Sequence, residues 1–177
     1  RDPRDVAVSF YFHVLHRAGR RELDRKRISR DAVSEMTLYD FVTDEHLGVP
    51  RVIGYMNRWW EERSRFSATC LIKYEEMRQD PQALLQKAIS FLDREFDETL
   101  LQQAVQFASF DNLARKEATG FFNSKRMRPG DVSDPNTFKV RRGQVGGYRD
   151  YFNAEELEVI DTLLQDTLPP ELGYSSK

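Results

Sequence analysis

The apolar positions repeat with a helical period over most of the chain, and the polar residues at the boundaries mark where helices begin. Asp2-Pro3 reads as an N-cap with proline in the first turn, followed by apolar positions at Val6, Ala7, Phe10 and Val14, to about Arg17. Thr37 with Asp40 is a capping box for a short helix from Leu38 to about His46, which Gly48-Val-Pro50 breaks. Ile53, Met56, Trp59 and Trp60 make Val52–Arg65 amphipathic, and the tryptophans read as packing residues. Asp80-Pro81 opens a helix with Leu84, Leu85, Ala88, Ile89 and Leu92 on its buried side. Asp97 or Glu98 opens another through Phe107, Ser109 caps Phe110–Ala118, and Asn153 caps Ala154–Leu168, closed by Pro169-Pro170.

Three stretches depart from this pattern. Gly19–Ser34 is charged and poorly periodic and reads as an exposed loop. Gly120–Lys139 carries Pro129, Gly130 and Pro135, and a loop of that length in a compact domain is functional or mobile. Ala68–Tyr74 (ATCLIKY) is a short, nearly continuous apolar run, the pattern of a parallel strand buried on both faces. One strand makes no sheet: either the domain is all-helical and this segment is misread, or the rest of the sheet lies upstream, and the buried-strand pattern favours the second, an α/β architecture of which the chain holds the helix-rich part with few strands.

At 177 residues, 40% apolar and 32% charged, the chain suits one domain. Its formal charge of −2 gives no argument for nucleic acid as a partner. The charge is unevenly placed: residues 1–30 hold nine Lys/Arg against four Asp/Glu, and residues 121–151 hold seven against three. Two basic stretches on an acidic body fit a small anionic ligand. Arg20, Arg21, Arg25, Lys26 and Arg27 read as solvated surface. Cys70, the single cysteine, forms no internal disulfide; it reads as a small buried hydrophobe in a cytoplasmic protein. No apolar run is long enough to span a membrane. His13 and His16 are three apart on one helix but lack an Asp, Glu or Cys to complete a metal site, so no metal is expected.

The chemistry lies at the two ends. Arg1 and Ser9 flank a helix start, where unpaired N–H groups and arginine forks suit a phosphate. Arg141-Arg142-Gly143, followed by Gly146-Gly147, lets backbone N–H groups approach a ligand beside two guanidinium groups. Tyr74, at the carboxyl end of the expected strand, is placed where open α/β sheets bind ligands.

In order and spacing these segments resemble the cytosolic-type sulfotransferases, which move the sulfuryl group of 3′-phosphoadenosine 5′-phosphosulfate (PAPS) to an acceptor. Arg1–Ser9 is similar to the family's R-[DN]-P-[RK]-D-x-x-x-S motif, Tyr74–Met77 to Y-E-[DE]-[ML], Ser109-Phe110 to its S-F segment, and Arg141–Arg149 to R-[KR]-G-x-x-G-[DG]-[WY]-[KR]. The resemblance implies a P-loop-kinase-like α/β fold over residues 1–177, as a single incomplete domain. It also implies a PAPS site in which Arg1, Ser9, Arg141, Arg142 and Gly143 hold the 3′-phosphate. Tyr74 and Phe110 would then flank adenine, with Ser109 near the base or phosphate. Gly147 and Tyr148-Arg149 depart from the Asp and Trp-Lys of many animal members, and the animal-type dimer signature T-V-x-x-x-E is absent. The 5′-phosphosulfate loop and catalytic histidine of the family are expected upstream of Arg1, so no catalytic residue is assigned and the chain alone is expected to be inactive. The acceptor is expected to be a small-molecule or carrier-bound hydroxyl or amine. A P-loop kinase relative and a helical interaction module remain the alternatives. The first predicts a preference for nucleotides lacking a 3′-phosphate, and the second predicts that Tyr74 and Ser109 tolerate any change.

Overall fold

Asp2 caps the first helix as its sequence predicts: its carboxylate accepts the Arg4 N–H and Pro3 occupies the first turn of α1 (Pro3–His16). In the computed structural model, which describes residues 1–165 and 167–174, the chain divides into two compact units. One comprises Asp2–Ser67 with Gly146–Lys177, the other Arg1 with Ala68–Val145.

The first unit is built around α1, which packs against α3 (Arg30–Ser34), α4 (Leu38–Thr43), α5 (Val49–Glu62) and a 3-10 turn at Gly147–Tyr151. Its core joins Ala7, Val8 and Val14 of α1 to Phe41, Val42, Val49, Ile53, Ile160 and Leu164. The expected loop at 19–34 is instead α2 (Arg20–Lys26) and α3. Each of these short helices buries one residue, Leu23 and Val33, with Ile28 buried between them. That spacing leaves no apolar stripe to read. Left-handed Arg27 ends α2, Ser29 caps α3, and the Arg30 guanidinium donates to the Val14 and Ala18 carbonyls near the end of α1. The arginines of α2 are exposed, as expected of solvated surface.

The predicted capping box of Thr37 with Asp40 forms, and Asn153, predicted as a cap, makes a second one with Glu156. Gly48-Val-Pro50 starts α5 instead of merely separating helices. A Cβ on Gly48 would meet the Val42 carbonyl at 2.1 Å, so only glycine lets α4 and α5 approach this closely. Trp60 packs against the core, whereas Trp59 is exposed between Tyr55 and Phe66. The last helix, α10 (Ala154–Thr162), is shorter than predicted; Leu164 and Leu168 continue the buried side beyond it.

The second unit is a meander of α6 (Tyr74–Gln79), α7 (Pro81–Phe91), α8 (Glu98–Phe107) and α9 (Phe110–Ala118), each packed on the next. Asp80 and Asp97 cap α7 and α8 by accepting the N–H groups of Ala83 and Leu100. The long 120–139 segment is organised around Thr137, which is buried and whose hydroxyl donates to the carbonyls of Asp131 and Asp134.

The predicted strand is corrected. Among the described residues no strand forms, Ala68–Lys73 is irregular, and Tyr74 begins a helix instead of ending a strand. Leu71 and Ile72 are 42% and 43% exposed, and Cys70 is partly exposed instead of buried. A strand exists only through its ladder partners, and the described residues supply none here. The chain is therefore helical where a few strands were expected. None of its described helices is long and apolar enough to cross a membrane.

Candidate functional site

The second unit gathers Arg1 and the residues singled out between Tyr74 and Gly143. The Arg1 guanidinium lies 4.4 Å from the Tyr74 ring centroid and donates to the Gln144 carbonyl at 3.2 Å. The Arg142 guanidinium donates to the Gln144 side chain at 2.7 Å, so Gln144 ties two of the expected phosphate-binding arginines to one turn. Gly143 sits in the left-handed region, at φ +61°, and a Cβ there would lie 2.4 Å from the Phe110 ring. Glycine is thus required twice, for backbone conformation and for close approach to an aromatic face. Arg141 is half-buried in the same turn.

Ser109 is the N-cap residue of α9 by position, but its side chain does not make the cap hydrogen bond to the described N–H groups of that helix start. Phe110 follows, with the Arg78 guanidinium 5.7 Å from its ring centroid. A cleft of about 380 Å³ opens beside them, lined by Ile72, Met77, Arg78, Leu84, Ser109 and Phe110 among others. The sequence reading passed over Arg78. It stands four residues after Tyr74 on α6, a spacing that shares a helix face, and reading Tyr74 as the end of a strand concealed it.

Glu117 was also passed over. It is completely buried, and its two oxygens accept the Lys139 and Val140 N–H groups at 2.6 and 2.8 Å. The signal for it was the spacing Phe110–Leu113–Glu117, which continues a partly buried face of α9.

The first unit holds the rest of the two terminal segments. Ser9 is exposed on α1 and belongs to this unit, whereas the other expected phosphate ligands belong to the second. Asp2, Arg4 and Asp5 are buried and structural. Arg4 pairs with Asp2 at 2.7 Å and Asp161 at 2.5 Å and lies 4.6 Å from the Tyr148 ring centroid. Burial alone would lower the pKa of the Arg4 guanidinium, but the hydrogen bonds and charge of Asp2, with Asp161, outweigh it and hold the pKa above its ordinary value. Burial pushes the Tyr148 phenol up to about 12, against the opposing charge of Arg4. Asp5 accepts the N–H groups of Gly146 and Tyr148 at 2.8 and 3.0 Å. Residues 1–9 and 138–152 are therefore joined by hydrogen bonds in both units, through Arg1 and Gln144 in one and through Asp5 with Gly146 and Tyr148 in the other.

Comparison with known proteins decides the family. The sulfotransferase domain model matches residues 1–170. The chain belongs to the sulfotransferase domain family. It is 28% identical over 109 residues to mouse sulfotransferase 1B1, covering 62% of this chain and 35% of that protein. It is 27% identical over 157 residues to luciferin sulfotransferase of Photinus pyralis, covering 88% of this chain and 39% of that protein. The amine sulfotransferase of Oryctolagus cuniculus is 24% identical over 173 residues, 95% of this chain and 52% of its own length. The chain thus spans between about a third and a half of the length of these relatives.

Members of the sulfotransferase domain family generally use PAPS, an anionic adenine nucleotide, as sulfuryl donor. Arg1, Arg141, Arg142 and the Gly143 N–H match an anion, and the Phe110 ring beside the cleft offers a surface for a base. Among the described residues these groups lie within one unit, apart from Ser9.

Proposed function

We propose that the protein is a PAPS-dependent sulfotransferase and that this chain grips the 3′-phosphoadenosine end of the donor. The observation that carries the reading is the Arg1 guanidinium. It is held over Tyr74 and against the Gln144 carbonyl, so residues from opposite ends of the sequence border one turn. In this reading Arg1, Arg141, Arg142 and the Gly143 N–H hold the 3′-phosphate, and Ser109 donates near it. Tyr74 and Phe110 flank adenine.

Family membership supports the α/β, P-loop-kinase-like architecture for the domain as a whole. Following the order of the family's motifs, the residues that hold the 5′-phosphosulfate and take the acceptor's proton precede Arg1. The reaction joins an acceptor oxygen or nitrogen to sulfur and breaks the bond between sulfur and the 5′-phosphate oxygen. Adenosine 3′,5′-bisphosphate leaves. The acceptor reading, a hydroxyl or amine on a small or carrier-bound molecule, draws support from the luciferin, amine and flavonol sulfotransferases among the relatives. A cytoplasmic setting belongs to the same reading, on the strength of a single free cysteine.

Incubation of the full-length enzyme with ³⁵S-labelled PAPS and a panel of phenols, alcohols and amines tests it. Labelled product appearing in step with bisphosphate release is expected. Turnover of ATP with no sulfuryl transfer across the panel would overturn the reading in favour of a kinase.

A further inference from the structure

Glu117 is a carboxylate with no exposed surface, and both of its oxygens are used on two successive backbone N–H groups, those of Lys139 and Val140. Burying a carboxylate is costly, and two charge-assisted hydrogen bonds offset that cost only in a fixed geometry. The residue immediately after Val140 is Arg141. Two turns earlier on the same helix, Phe110 receives Gly143 against its ring. Positions seven apart share a face and are separated by roughly 10 Å along the axis. One face of α9 therefore pins residues 140–143 at both ends, by hydrogen bonds at one and by ring contact at the other.

We infer that Glu117 is the positioning residue of the arginine turn: it fixes the backbone from which Arg141, Arg142 and the Gly143 N–H address the donor's 3′-phosphate. The inference rests on the sulfotransferase reading above. Glu117 does not touch the nucleotide. It sets the direction in which the turn leaves Val140, and hence whether two guanidinium groups and one N–H converge. Glutamine keeps the size but turns an NH₂ toward one of the two N–H groups, which breaks half of the clamp.

The test is calorimetric titration of wild type, Glu117→Gln and Glu117→Asp with adenosine 3′,5′-bisphosphate and with ADP, alongside thermal unfolding. With the turn misaligned, bisphosphate affinity is expected to fall by about tenfold in Glu117→Gln with ADP affinity unchanged. Glu117→Asp keeps the charge and is expected to fall between glutamine and wild type. A folded variant with the wild-type ratio of bisphosphate to ADP affinity overturns the inference. So does an equal loss for both nucleotides, or failure of both variants to fold, since each makes Glu117 structural only. If wild type itself shows no preference for the bisphosphate, the sulfotransferase reading fails instead.

Discussion

Replacing Asp5 with alanine removes an acceptor that is 3% exposed and serves two N–H groups, at 2.8 Å from Gly146 and 3.0 Å from Tyr148. The Tyr148 N–H is buried and would be left unsatisfied at a cost of about 2 kcal/mol; the Gly146 N–H is partly buried and would lose about half as much. The carboxylate also lies in the first turn of α1, where its charge interacts favourably with the positive end of the helix dipole for about 0.5 kcal/mol more. The sum is about 3.5 kcal/mol, a large part of the stability of a unit this size. Both tryptophans of the chain, Trp59 and Trp60, are in α5 of the same unit, so tryptophan fluorescence reports its unfolding. With a urea dependence of about 2 kcal/mol per molar, the midpoint should drop by about 1.7 M. Asp5→Asn keeps one acceptor oxygen and should lose roughly half as much. A midpoint for Asp5→Ala within about 0.3 M of wild type would refute the claim that these two bonds anchor the Gly146–Tyr148 turn.

Further outcomes follow from the same geometry. Arg1→Ala removes a forked donor from the proposed phosphate site and should weaken binding of adenosine 3′,5′-bisphosphate by about one to two orders of magnitude in calorimetry. The Tyr148 hydroxyl is buried and makes no hydrogen bond among the described residues, so Tyr148→Phe should leave the thermal midpoint unchanged or raise it slightly, in contrast to the usual loss at a core position. Hydrogen bonds from Lys26 and then from His13 hold the Glu22 carboxyl below its ordinary value. Because the folded value is the lower one, this contribution to stability is complete above about pH 4.3. It disappears as the pH falls through the lowered value, so wild type and Glu22→Gln should converge in acid in pH-dependent denaturation curves.

Local chemistry made the helix starts legible. Asp2-Pro3, Thr37 with Asp40, Asp80-Pro81, Asp97 and Asn153 each cap where the sequence placed them, because a cap needs only residues within one turn. Segments whose state depends on distant partners were not legible. Leu23, Ile28 and Val33 hold α2 and α3 in place one residue at a time, which leaves no periodic trace. Ala68–Lys73 has strand composition, yet the described residues provide no ladder partner.

The same division holds for the site. Arg1, Tyr74, Ser109, Phe110 and Arg141–Gly143 were singled out by motif order, and all of them belong to one unit. Ser9 belongs to the other unit. Glu117 was hidden because a carboxylate between Lys116 and Ala118 looks like solvated helix surface until its burial is seen. Asp2, Arg4 and Asp5 carry the opposite lesson. They lie in the phosphate-site motif, but their side chains are occupied in building the fold.

The central claim is recognition of a 3′-phosphate on an adenine nucleotide. Calorimetric titration of the unmodified protein with adenosine 3′,5′-bisphosphate and with ADP under identical conditions tests it most directly. The account predicts that the bisphosphate binds at least about tenfold more tightly, the difference that one or two charge-assisted hydrogen bonds to the 3′ group supply. Equal affinity for the two nucleotides, or tighter binding of ADP, would contradict it.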